Sequence, residues 1–200
     1  MRASALALLA CLALTAPKSF GGAQIYEPLS TSVQAALSQA IADRGAPKLA
    51  FANPADGKRW LTQMSARLEK RIPDPDARKE FLTTVHYEAS RAGLDPQLIL
   101  GVIQVESAFR KYAVSRAGAR GYMQVMPFWI GLIGTSEQNL FHLRTNLRYG
   151  CTILRHYLDI EKGDLFRALG RYNGTLGKAQ YPNAVYRAWR GSFRYDGKLR

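Results

Sequence analysis

A chain of 200 residues with 47% hydrophobic and 22% charged residues has the make-up of a globular protein with room for one full core. Its 28 Lys and Arg against 15 Asp and Glu give +13, which favours an anionic partner: nucleic acid, an acidic membrane surface or bacterial cell wall. Two cysteines exclude a disulfide framework and a zinc site.

Met1-Arg2 is followed by an apolar run from Ala5 to Ala16, and small residues Gly21-Gly22-Ala23 come after it. A short positive start, about a dozen apolar residues and a small-residue site read as a signal peptide over residues 1–23, cut after Ala23. The run is shorter than the roughly 20 residues of a membrane span. The chain is therefore expected to be exported, to a periplasm. The alternative is a lipoprotein box, Leu8-Leu9-Ala10-Cys11, with Cys11 lipidated. Loss of Cys11 with the leader leaves Cys151 without a partner.

Residues 24–75 read as an N-terminal helical extension whose role the sequence does not state. Ser30-Thr31-Ser32 caps a short helix with Val33, Leu37 and Ile41 on one face, broken by Gly45-Ala46-Pro47. From Pro54 to Ile72, the residues Trp60, Met64, Leu68 and Ile72 recur every four positions, one helical stripe ended by Pro73 and Pro75.

Asp76 to Ala92 repeats the pattern through Phe81, Val85 and Ala89 until Gly93 stops it. Asp95-Pro96 opens a third helix of this series, since Asp caps well and Pro fits the first turn. That helix carries Leu98, Ile99, Val102, Ile103 and Val105 and is expected to be almost wholly buried. Residues 110–145 are Gly-rich and aromatic and read as loops. Helices over Asn146–Glu161, Asp164–Arg171 and near Tyr181–Trp189 come next, and residues 191–200 read as a tail. No alternating strand pattern of useful length occurs. The expected fold is mainly α, with residues 76–190 as one catalytic domain.

Glu106 stands out at the end of the apolar helix LILGVIQVES. A carboxyl there loses hydration, which disfavours its charged form, raises its pKa and suits a general acid. Alone, a helix-end Glu is more often solvated. The residues downstream of Glu106 reverse that preference. Ser115, Gly118-Ala119 and GYMQVMP at 121–127 combine small residues that allow close chain approach with the adaptable Met123 and Met126 and the donor-acceptor Gln124. Later, ALGRYNG at 168–174 ends a helix in Tyr172, whose hydroxyl can point into a cleft, and Asn173, in a position prone to left-handed backbone before Gly174.

ESAF at 106–109, AVSRAGARGYMQVMP at 113–127, NLRYG at 146–150, ALGRYNG at 168–174 and YPNAV at 181–185 together resemble the catalytic domain of the soluble lytic transglycosylase family, over roughly residues 76–190. Each segment alone is a weak signal; several in order and at similar spacing are a strong one. The resemblance implies a lysozyme-like α fold that cleaves the β-1,4 bond between N-acetylmuramic acid and N-acetylglucosamine in peptidoglycan. It puts the catalytic glutamate at Glu106 and substrate-binding residues at Ser115, Met123, Gln124, Tyr172, Asn173 and Tyr181. Two departures are visible: Tyr122 stands where Leu is usual, and Gly174-Thr175 replace the usual Ala-Gly.

Most glycosidases use two carboxylates, about 5 to 10 Å apart. These segments offer one; Glu137, Asp159, Glu161 and Asp164 lie in polar surroundings and are expected to face solvent. The resemblance implies a route without a second carboxylate. Glu106 protonates the glycosidic oxygen, the substrate's N-acetyl group stabilises the cationic centre, and Glu106 then takes the C6 hydroxyl proton as a 1,6-anhydro ring closes. Ser115, Gln124 and Tyr172 would orient the glycan, with Tyr172 also a hydrogen-bond candidate for Glu106. The alternatives are a hydrolytic muramidase and a non-catalytic glycan-binding module; a pure binder has no need of a costly semi-buried acid.

No cofactor or metal is expected: His86, His142 and His156 stand apart in the sequence. Nucleic acid is not expected as a partner, because the basic residues are scattered and no basic-aromatic motif is visible. The basic surface is read instead as adhesion to the carboxylates of peptidoglycan stems. A monomer is expected. The small size suits either wall recycling or local wall opening for a secretion or pilus machine.

Overall fold

The computed structural model describes residues 24–197. The expected signal peptide and Cys11 therefore lie outside the described residues. Among the described residues eight α-helices succeed one another: α1 Thr31–Ala42, α2 Pro54–Leu68, α3 Pro75–Arg91, α4 Pro96–Ser107, α5 Phe128–Ile133, α6 Leu143–Ile160, α7 Leu165–Tyr172 and α8 Gln180–Arg187. A π-helical turn, Ala188–Ser192, continues α8. No strand occurs among the described residues, where two isolated bridges, Val114 with Arg120 and Arg120 with Val125, are the extended pairings. The mainly α expectation is met.

Local chemistry sets most helix starts. Ser30, Asn53, Asp74, Asp95 and Asp164 each accept a backbone N–H of the first turn through a side-chain oxygen, which satisfies a donor the helix itself cannot. Proline occupies the first turn of α2, α3 and α4, where its missing N–H costs nothing.

Three boundaries differ from the pattern reading. The helix α2 ends at Leu68 and not at Ile72, and the chain reaches Pro73 through turns in which the Arg71 and Ile72 N–H groups both donate to the Leu68 carbonyl at 2.8 Å. The freed carbonyls of Ile72 and Pro73 are taken by Arg78 Nη1 at 2.6 and 3.0 Å. Second, α6 starts three residues early, at Leu143. Third, Phe128–Ile133 is a helix within the stretch read as loop. Six residues around Gly131 are too few to show a period.

The helix α4 is the axis of the fold. Leu98, Ile99, Leu100, Val102 and Ile103 are all buried, and no face of α4 is left polar before its last turn. Each such side chain is worth about 1.5–3 kcal/mol on burial. The helices α3, α8 and the π turn pack around α4, and α6 packs on α3 and α7. Leu37, Ile41, Trp60, Met64 and Leu68 join the same core, so residues 24–75 share it with the rest. Trp189 Nε1 donates to Asp95 Oδ2 at 3.0 Å, which fastens the π turn to the start of α4. Cys151 is free and buried in α6. No described helix is long and apolar enough to cross a membrane.

Candidate active site

Glu106 occupies the last turn of α4 and is fully buried. An ionised carboxylate there carries a large desolvation cost unless donors meet it. One donor comes from α8: Tyr181 Oη lies 2.6 Å from Glu106 Oε1. Tyr181 is itself 1% exposed, and burial first, then the Glu106 carboxylate, holds its phenol well above the usual range. Tyr181 therefore stays protonated and can only donate to the ionised acid. Directly after Ser107, Ala108 and Phe109 both take left-handed backbone, at φ 50° and 65°. Two consecutive non-glycine residues in that region are costly, at about 1 kcal/mol or more each. They turn the chain sharply from α4 into the loop.

This loop folds back on itself. The Ser115 backbone N–H donates to the Ala119 carbonyl at 3.0 Å, and Ser115 Oγ accepts from the Ala119 N–H at 3.1 Å. Ser115 is half-buried and keeps its hydroxyl proton for another acceptor. Val125 then pairs with Arg120 in both directions, at 2.9 and 3.0 Å. Between them Gly121 has φ 75°, and a side chain there would meet the Leu140 carbonyl at 2.6 Å. Only glycine satisfies both conditions.

Met123 and Gln124 sit at the closed end of this loop, both buried. Gln124 has φ 50°. Its Nε2 donates to the carbonyls of Gly121 at 2.9 Å and Ala113 at 3.1 Å, so its carboxamide is engaged largely by the loop itself. Tyr172, also buried, donates its hydroxyl to the Met123 carbonyl at 2.7 Å. The hydrogen bond expected from Tyr172 to Glu106 is thus absent, and Tyr181 makes it instead. Tyr172 enters from the end of α7, and its hydroxyl is taken by the Met123 backbone. Its phenol is pushed well up by burial, with the Glu106 charge adding in the same sense. Asn173 is at φ −87°, and the left-handed position belongs to Gly174 at φ 70°. The extra freedom of glycine moves the turn one residue along. Asn173 Oδ1 faces Thr175 Oγ1 at 3.3 Å, while its buried Nδ2 finds no acceptor among the described residues.

Two residues of the NLRYG segment have roles that the sequence reading left unassigned. Asn146 on α6 accepts from the Met123 N–H at 2.8 Å and donates to the carbonyls of Arg120 and Leu140, each at 2.8 Å. Its side chain ties three loop strands to one helix. Gly150, one helical turn on, lies under Met123: a β-carbon there would stand 2.8 Å from Met123 Cβ. The residue types carried a signal, an amide and a glycine spaced by four on a helix, but their targets lie in another segment.

The other acidic side chains divide clearly. Glu137, Asp159 and Asp164 are exposed, as expected. Glu161 departs from the expectation, since its side chain is only 7% exposed. Arg171 Nη2 at 2.7 Å and the Arg167 guanidinium cover it and hold its carboxyl below the usual range. Glu88, unremarked in the sequence, is fully buried in α3. It is ringed by Arg148 at 2.9 Å, Arg91 at 3.2 Å and Arg144 at 3.4 Å. Of the buried acids Glu88 and Glu106, Glu88 is bound by guanidinium groups, and Glu106 accepts the Tyr181 hydroxyl.

The family model described as the Transglycosylase SLT domain matches residues 83–188. The chain is 53% identical over 49 residues to membrane-bound lytic murein transglycosylase C of Actinobacillus pleuropneumoniae serotype 5b (strain L20), covering 24% of this chain and 13% of that protein. It is 34% identical over 102 residues to a transglycosylase of Enterobacteria phage PRD1, covering 51% of this chain and 37% of that protein. Among solved structures, it is similar to an inactive mutant of lytic transglycosylase Slt from Pseudomonas aeruginosa. That similarity has a TM-score of 0.41 at 19% identity, over 78% of this chain and 35% of the other. The matches thus take in well under half the length of these relatives. The matched segment runs from α3 to the π turn and takes in Glu106, the loop, Tyr172 and Tyr181, which is more than half of the chain: this protein belongs to the Transglycosylase SLT domain family.

Proposed function

We propose that this protein is a peptidoglycan lytic transglycosylase that cleaves the β-1,4 bond between N-acetylmuramic acid and N-acetylglucosamine, with Glu106 as its acid and base. The observation that carries the reading is the 2.6 Å hydrogen bond from Tyr181 to Glu106 at the end of a buried helix, inside the family segment. A dry carboxyl holds its proton for a leaving oxygen better than a hydrated one does. Once the proton has gone, the Tyr181 hydroxyl supports the carboxylate until it takes the C6 hydroxyl proton and the 1,6-anhydro ring closes. Glu88 is unsuited to a second role in this chemistry because three guanidinium groups already bind it.

Of the substrate-binding residues proposed, Ser115 keeps a hydroxyl proton to donate at a half-exposed turn. Asn173 holds a donor in reserve. Met123, Gln124 and Tyr172 act by building the wall of the site, since their polar atoms are bonded to the loop. Residues 1–23 act as an export signal in this reading, and the protein works in the periplasm as a monomer on glycan strands. Both wall recycling and service to a secretion or pilus machine fit that placement.

The test is mass spectrometry of products released from purified sacculi. An anhydro sugar, lighter by one water, supports the proposal. A reducing end identifies a hydrolytic muramidase, and binding without any soluble product identifies a glycan-binding module. Glu106→Gln is expected to abolish product release and leave the helical circular dichroism unchanged; retained release would refute the assignment.

A further inference from the structure

We propose that Gln24 is a positioning residue for this reaction, its carboxamide serving as the missing strand that fixes the loop segment Gln124–Met126. The inference rests on the reading of Glu106 given above. Gln24 is 3% exposed although its neighbours Ile25 and Tyr26 are 61% and 57% exposed. An amide goes inside while an isoleucine stays out only when hydrogen bonds hold it there.

The bonds are specific. Gln24 Nε2 donates to the Gln124 carbonyl at 3.2 Å, and Gln24 Oε1 accepts from the Met126 N–H at 3.0 Å. Val125, between them, pairs with Arg120 through both its N–H and its carbonyl. In extended backbone the groups of successive residues point to opposite sides, so Val125 faces Arg120 on one edge while the Gln124 carbonyl and the Met126 N–H face Gln24 on the other. At neutral pH a carboxamide offers the one donor and one acceptor that this arrangement needs, whereas an ionised carboxylate offers acceptors alone. The need is real, because Gln124 is held at φ 50°, a conformation that a non-glycine residue keeps only when its surroundings over-determine it.

The segment carrying Gln24 is clamped at three further points, two on α5, which follows the loop, and one on α7. Tyr26 packs edge-on against Phe128 with ring centres 5.7 Å apart. Glu27 pairs with Arg171, beside Tyr172, at 2.9 Å. Gln34 Nε2 donates to the Leu132 carbonyl at 2.6 Å. The strap thus spans the loop, α5 and α7, and Gln24 is its tip. Met123 N–H is held by Asn146, Met123 C=O by Tyr172, and the next two residues of the wall by Gln24 and Arg120.

The experiment measures kcat and KM, on purified sacculi, of the periplasmic protein as processed and of the full-length chain, for wild type, Gln24→Ala and Gln24→Glu, from pH 5 to 7.5. Gln24→Ala is expected to lower kcat tenfold or more, with KM changed less than threefold. Gln24→Glu keeps the acceptor for Met126 but turns an ionised oxygen on the Gln124 carbonyl. At pH 7.5 it should match the alanine variant. As the pH falls its carboxyl gains a proton, the O–H replaces Nε2–H as donor, and its kcat relative to wild type at the same pH should rise severalfold. A merely structural loss would leave kcat per folded molecule, with the folded fraction read by urea unfolding, at the wild-type value. A wild type that releases no product sinks the Glu106 reading and this proposal with it. An active wild type with both variants at its own kcat, or a flat Gln24→Glu ratio, sinks this proposal alone.

Discussion

Tyr181 and Glu106, 75 positions apart in sequence, meet through a 2.6 Å hydrogen bond in which neither side chain touches solvent. Replacing Tyr181 by Phe keeps the ring in its buried seat and removes the hydroxyl alone. A hydrogen bond to a charged group is worth about 1.5–3 kcal/mol, and each 1.36 kcal/mol is tenfold in rate. The expected outcome for Tyr181→Phe is a kcat lowered about 10- to 100-fold on sacculi with KM nearly unchanged. A kcat within twofold of wild type would remove Tyr181 from the mechanism.

Asn146 and Gly150 carry the next expectation. Asn146→Ala orphans a buried N–H and two carbonyls, and each orphan costs about 1–3 kcal/mol before relaxation. Urea unfolding should show a loss of at least about 2 kcal/mol. Gly150→Ala drives a methyl group against Met123, and overpacking of this kind costs about 1–3 kcal/mol. Because Met123 borders the loop, kcat should fall along with stability; an alanine variant with wild-type kcat would separate Met123 packing from activity.

These residues also show how far the sequence could be read. Helix periods, caps and proline positions are local properties, and α1, α3, α4 and α7 follow from them with small boundary shifts. Glu106 was legible because a carboxyl breaks an apolar run. The partner choices were not legible. Whether Tyr172 or Tyr181 reaches Glu106 depends on the entry angles of α7 and α8, which no spacing encodes. Glu88 looked like any helical acid, since its three arginines lie on two helices. Gln24 sat in a stretch without periodicity, and its role exists only because the chain returns 100 residues later.

Glu88 offers a contrast with Glu106 that separates support from chemistry. Removing one partner of a buried ion network leaves uncompensated charge and costs about 3–5 kcal/mol. Glu88→Gln strands Arg148, which is 8% exposed in its side chain, along with parts of Arg91 and Arg144. The variant should unfold at much lower urea, yet release anhydro product at near wild-type kcat per folded molecule. Glu106→Gln should do the reverse. If both variants lost activity without losing stability, Glu88 would have to be admitted to the chemistry.

His86 sets an acid limit on the fold. Its ring is 1% exposed, stacked on Phe51 at 4.5 Å and flanked by Trp60 at 5.2 Å, and neither ring nitrogen has a partner among the described residues. Burial lowers its pKa from 6.5 to about 4. The unfolded chain therefore binds this proton more readily than the folded one between those two values. The stability linked to neutral His86 is complete above about pH 6.5, falls as the pH drops toward 4, and is fully lost below that. At about 1.36 kcal/mol per pH unit of difference, the loss approaches about 3 kcal/mol. His86→Phe fills the same aromatic seat without a titrating group and without orphaned nitrogens. It should equal or exceed wild-type stability at pH 7.5, and the gap should widen by about 2–3 kcal/mol at pH 4.5 in urea unfolding. A gap that stays constant across that range would mean that His86 takes up its proton in the folded state as easily as in the unfolded one, and that burial against Phe51 and Trp60 does not keep it neutral.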